Sequence, residues 1–158
     1  MTTASYVAVN PAMASAGGST LLYSNFYALM GPDNSSTVAV NTPIFFPQNG
    51  PTNGAATSLG AGLFNLPTVG CYEVDWVASI TEAGQLSLAI GGISLPATVV
   101  GRAALVSQIV GHTLITTSAP NSVLSVINAP GNSTALTMTV IAGGADPVSA
   151  TLSIKFLG

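Results

Sequence analysis

Charge is what this sequence has least of. Seven of its 158 side chains are ionised at neutral pH: Asp33, Glu73, Asp75, Glu82, Asp146, Arg102 and Lys155. A soluble domain ordinarily carries about 25 % charged residues, roughly 40 in a chain of this length, and they keep its copies apart. Without that device, solubility depends on covering apolar area, and contact between copies is the natural cover. Two cations and a pI near 4.4 cannot build the phosphate-neutralising patch of a nucleic-acid binder, which excludes nucleic acid as a main partner.

Long apolar runs are missing as well. The hydrophobic share is 48 %, yet Gly, Pro, Ser, Thr or Asn interrupts every window of about 18 residues, so no transmembrane helix is expected. The ten aromatics are scattered, whereas an outer-membrane barrel needs aromatic girdles. Membrane insertion is therefore not expected. A mean hydropathy of +0.60 with little charge is the opposite of a disordered composition. The residues after Met1 lack the basic and apolar stretches of an export signal.

Reactive groups are equally scarce. Cys71 is the only cysteine, which excludes an internal disulfide and a thiolate metal site and leaves a small packed side chain. His112 is the only histidine, and no G-x-S-x-G elbow supplies a nucleophile for it, so it reads as a satisfied strand histidine. Gly60-Ala61-Gly62 lacks the third glycine and the following helix of a dinucleotide fingerprint. Asn34 and Asn132 open N-x-S/T sequons that read as chance. No enzyme, cofactor or metal site is expected.

What is present is the punctuation of an all-β chain. Residues 1–19 read as a partly ordered arm and 20–158 as one head domain. Short Val-, Ile-, Leu- and Thr-rich runs alternate with Gly, Pro and Asn clusters, and no helical period occurs. From Cys71 to Thr81, Tyr72, Val74, Trp76, Ala78 and Ile80 share one face while Glu73, Asp75, Ser79 and Thr81 share the other. Near the C-terminus, Val148, Ala150, Leu152, Ile154 and Phe156 alternate with Ser149, Thr151, Ser153 and Lys155. The predicted core includes Phe64, Tyr72, Val74, Trp76, Ile154 and Phe156. Gly91-Gly92 predicts a hairpin turn. Turn clusters stand at 82–84, 119–121, 129–132 and 143–147. Strands are expected over 21–30 and 37–46 and a loop over 47–62, giving roughly eight to ten strands in a two-sheet antiparallel jelly roll.

Phe64, Gly70, Tyr72, Val74 and Trp76 spell F-x5-G-x-Y-x-V-x-W, which resembles a strand signature of the globular heads of the first complement component. That signature has Phe where Val74 stands and Phe or Tyr where Trp76 stands. Val100-Gly101-Arg102-Ala103, Ser107-Gln108-Ile109, Asn132-Ser133-Thr134-Ala135-Leu136 and Asp146-Pro147-Val148-Ser149-Ala150 resemble the C-terminal heads of bacterial collagen-like exosporium glycoproteins, the BclA type. The resemblance covers roughly residues 60–157. It implies a tumour-necrosis-factor-like (TNF-like) jelly roll that assembles as a compact homotrimer, and a structural role on the spore surface. A collagen stalk is absent from this sequence, so an isolated head or a stalkless relative is expected. Glycan or receptor recognition and a viral fibre knob are the alternatives on the same fold, with host glycans or other surface-layer proteins as partners.

Glu73 and Asp75, the only close acids, suit a calcium ion, an arginine of a neighbour or plain solvation, and the low ligand count favours solvation. Arg102 is the only guanidinium. Its planar fork fits a carboxylate, so Arg102 with Glu73, Asp75 or Glu82, within or between subunits, is the candidate ion pair. Tyr6, Tyr23, Phe26 and Tyr27 would make a sugar platform if exposed, and burial is the default. With so few basic residues, the fold should also resist trypsin.

Overall fold

A computed structural model describes residues 20–30, 33–34, 37–103, 107–138 and 148–158. Thirteen strands occur among them: β1 Leu22–Leu29, β2 Thr37–Val38, β3 Gln48–Thr52, β4 Thr57–Gly60, β5 Leu63–Leu66, β6 Gly70–Ile80, β7 Gly84–Ile90, β8 Ile93–Ser94, β9 Val100–Arg102, β10 Ser107–Thr117, β11 Ser122–Asn128, β12 Leu136–Thr137 and β13 Val148–Phe156. The only helical element among the described residues is a 3-10 turn at Pro96–Thr98. The expected arm and the turn at 143–147 lie outside the described residues.

One sheet runs β10-β6-β13-β1-β3 and the other β4-β5-β11-β7-β8, with β9 also paired to β7 and a small β2–β12 sheet beside them. Every named pairing is antiparallel. The alternation in β6 does what its period demands. Tyr72, Val74, Trp76, Ala78 and Ile80 are buried, and Glu73, Asp75 and Val77 face outward at intermediate exposure.

Between the sheets Phe26 of β1 meets Phe64 of β5 with ring centroids 4.5 Å apart, and Phe46 meets the same ring at 6.1 Å. Phe64, Ile154 and the rest of the expected core are buried, while Phe156 is half-buried and packs its ring on Tyr72 at 5.0 Å. The Tyr72 hydroxyl donates to the Thr68 carbonyl at 2.7 Å. Burial pushes that phenol up from its ordinary pKa, against the opposing pull of its Thr68 hydrogen bonds.

Gly91 and Gly92 have φ of 58° and 80°, the left-handed pair that a two-residue hairpin between β7 and β8 requires. Elsewhere the structure corrects the sequence reading. The strand expected over 37–46 shrinks to Thr37–Val38 and an isolated bridge at Pro43, because Asn41 turns the chain at φ 62°. The expected loop over 47–62 contains β3 and β4, both at sheet edges, where side chains stay exposed and apolar alternation is not needed. In β13, Val148 is exposed and Ser149 buried, the reverse of the expected facing. A register shift between Ala28 and Leu29 causes it, and the Ser149 hydroxyl donates to the Ala28 carbonyl at 3.2 Å.

Candidate functional site

Among the described residues, titratable side chains gather on the outward face of the five-stranded sheet. Its side chains follow from register. Val110, Val77, Thr151 and Tyr27 form one row across β10, β6, β13 and β1; His112, Asp75, Ser153 and Asn25 form the next; Leu114, Glu73, Lys155 and Tyr23 form the third. Val110 and Leu114 are 61 % and 57 % exposed, and Tyr23 is exposed beside them. Leu21, Leu157 and the half-buried Cys71 lie toward the same end.

The polar groups of this face are paired. The Lys155 ammonium donates to Glu73 Oε1, and His112 Nδ1 is hydrogen-bonded to Asp75 Oδ1. Asn25 donates to Ser153 Oγ at 2.9 Å and to the Leu152 carbonyl at 3.2 Å, which fixes the β1 end of the middle row. The hydrogen bond and charge of Glu73 hold the Lys155 amine above its usual pKa. Both contacts are solvent-accessible, so each adds little to stability. Among the described residues no hydroxyl or thiol is hydrogen-bonded to His112, so no nucleophile and base are assembled there.

Within the chain the fold gives Glu73 and Asp75 partners other than Arg102. Glu73 meets Lys155 and Asp75 meets His112, while Arg102, on β9, donates to the Ile80 carbonyl at the end of β6. Glu82 is turned to the β12 side. Burial pushes its carboxyl up, but the Thr137 N–H and hydroxyl bonds from Thr137 and Thr81 outweigh that and leave it below the usual carboxylate range. Sequence reasoning missed the meeting of Glu73, Asp75 and His112, whose donor atoms lie within 4.8 Å of one another. Of the expected aromatic platform, Phe26 is buried, Tyr27 half-buried and Tyr23 exposed, while Tyr6 lies outside the described residues. The sequon residues are structural. Asn34 bonds both backbone groups of Phe45, and Asn132 donates to the Gln85 carbonyl at 2.8 Å.

No protein-family model matches the chain, and no curated protein is similar to it in sequence. Solved structures are similar in shape. The globular domain of zebrafish complement 1qA protein superposes with a TM-score of 0.59 at 14 % identity, over 86 % of this chain and 96 % of that one. Murine APRIL, in structures at pH 8.0 and pH 8.5, gives TM-scores of 0.52 and 0.53 at 12 % identity, over 87 % of this chain and 98 % of the other. The fold is a TNF-like jelly roll. At these identities the likeness establishes fold alone, and the chemistry of the chain has to be argued from its own surface.

Proposed function

We propose that this chain is a structural head domain that assembles as a homotrimer and forms a neutral, durable layer on the surface of a spore or similar particle. The observation that carries the reading is the outward face of the five-stranded sheet. There Val110, Leu114 and Tyr23 are exposed around polar groups that already have partners, Glu73 with Lys155 and Asp75 with His112. Such a face attracts a copy of itself without strong charge repulsion. Scarcity of charge elsewhere supports the same reading, because a lone molecule would have little to keep it dispersed. The jelly-roll fold is compatible with it, and the choice of a spore surface rests on the resemblance of short sequence segments to exosporium heads alone.

Light scattering on the purified chain tests the assembly. The expected mass is about three times 15.7 kDa, persisting on dilution, and Leu114→Lys is expected to shift it toward a folded monomer. A stable monomer of the unaltered chain at all concentrations would remove the reading. Antibody labelling of intact spores of the source organism tests the location, and label absent from the outer surface would refute it.

A second reading, recognition of a glycan or receptor, draws on the hollow lined by Tyr23, Asn25, Pro51 and Lys155, where an exposed ring sits beside amide and ammonium donors. Glycan-array binding that Tyr23→Ala abolishes would favour it, and an array with no binding would dismiss it.

A further inference from the structure

The chain has five acids, two cations and one histidine, eight titratable side chains of these kinds. Half of them, Glu73, Asp75, His112 and Lys155, stand on the outward face of three adjacent strands. In a molecule with so few ionisable groups, this is a local concentration of them. It also brings the single imidazole to the only two acids that share a strand face.

We propose that Glu73, Asp75 and His112 form a binding site for a first-row divalent transition-metal ion of the zinc, nickel or cobalt kind. Three observations carry this. First, each residue offers one donor atom, and these atoms lie within 4.8 Å of one another. Bonds of about 2.0–2.2 Å to an ion among them need only small side-chain rotations. Second, the backbone fixes the set. His112 lies directly opposite Asp75, Glu73 is two residues along β6 on the same face, and β6 and β10 are paired along the whole of β10. Third, the donors select the ion. Calcium prefers six to eight oxygens, whereas one imidazole with two carboxylates suits a borderline ion that keeps water in its remaining positions.

Binding exchanges charges in a defined way. The imidazole binds in its neutral form, and the hydrogen bond between His112 and Asp75 is given up as both groups turn to the ion. The Lys155 ammonium gives up Glu73 and turns to water with its charge intact. The ion's two positive charges are then met by the two carboxylates. Lys155 is thus an internal competitor for the site, which an ordinary surface ion pair would not be. All three ligands come from one chain, so the site is complete in a monomer and its failure leaves the assembly reading standing; on the face that the assembly reading gives to another copy, the ion and the copy compete.

The test uses the untagged full chain carrying Cys71→Ser, which removes the only thiol. Zinc, or nickel in parallel, is titrated by calorimetry and by the imidazole NMR signals, which belong to His112 alone because no other histidine exists. Circular dichroism checks the fold of each variant. Saturation at about one ion per chain is expected, and Glu73→Gln and Asp75→Asn should each weaken binding about tenfold or more. Lys155→Gln should tighten it several-fold. No saturable shift of the His112 signals by about 1 mM metal, or unchanged affinity in either acid variant or in Lys155→Gln, would overturn the proposal.

Discussion

Gly111 lies in the middle of β10, directly opposite Trp76 of β6, and its φ is not left-handed. Glycine stands there for room. A methyl group added at Gly111 would come closer than 3.0 Å to three atoms of the indole, Cε2, Cζ2 and Cη2, where carbon atoms settle at about 3.5–4.0 Å. The ring cannot easily retreat. Trp76 is 1 % exposed and lies opposite the buried Leu152 on the neighbouring strand β13. Overpacking of this kind costs about 1–3 kcal/mol, while alanine restricts the unfolded chain and returns about 0.4–1 kcal/mol. Gly111→Ala is therefore expected to destabilise by about 1–2 kcal/mol, or several degrees in melting temperature for a domain of this size. Urea unfolding followed by far-UV circular dichroism and by the fluorescence of the single tryptophan measures it, with an unchanged slope expected. Adding Trp76→Phe relieves the clash and removes an indole N–H that has no hydrogen-bond partner among the described residues. The double variant should accordingly lose less than the two single losses together. A Gly111→Ala protein as stable as the parent would refute the packing argument.

Asn128 is fully buried, and its amide donates to the Val38 carbonyl at 2.9 Å and the Thr134 carbonyl at 3.1 Å. Asn128→Ala strands both acceptors, at about 1–3 kcal/mol for each unsatisfied group, so a loss of at least about 2 kcal/mol in urea unfolding is expected and a loss below about 0.5 kcal/mol would contradict it. Stability should be level across the neutral range and fall at both ends. Glu82 is depressed in the fold, so its contribution is present above the unfolded carboxylate pKa and is lost as pH falls through the folded value. Tyr72 and Lys155 are raised, so theirs is present below the unfolded pKa values and is lost as pH rises toward the folded ones. Thermal melts from pH 4 to pH 11 check this, and a steep loss between pH 7 and pH 5 would oppose it. Arg102 and Lys155 are the only sites for trypsin, and both lie within paired strands. An uncut chain is expected after prolonged digestion, and early cleavage after Arg102 would show that β9 opens.

The parts of this fold that could be read from sequence are those whose cause is local. From Tyr72 to Ala78 the residues of β6 alternate because one face of that strand is core, Ser79 being buried against expectation, and the turn at Gly91-Gly92 needs positive φ at both positions. The parts that could not be read depend on a distant partner. β3 and β4 carry no apolar alternation because edge position, set by β1 and β5, makes them strands. Val148 faces out because a bulge in the β1–β13 pairing shifts one residue, and a single-residue slip exchanges the faces of a strand.

The candidate site divides in the same way. Glu73 and Asp75 share a face by period alone, so their proximity was legible. His112 lies 37 residues beyond Asp75 and Lys155 lies 82 beyond Glu73, and both reach this face only through the registers of β10 and β13. Sequence reasoning gave the acids to Arg102 because a guanidinium is the stronger partner for a carboxylate. Within the chain strand order gives them other neighbours: β10 and β13 flank β6 on its two sides, while Arg102 lies on a strand hydrogen-bonded into the other sheet. Topology thus outranks chemical preference in deciding which of a few charges meet. In a chain with so few of them, that choice determines whether the outward face of β6 repels a second copy, receives it, or holds a cation.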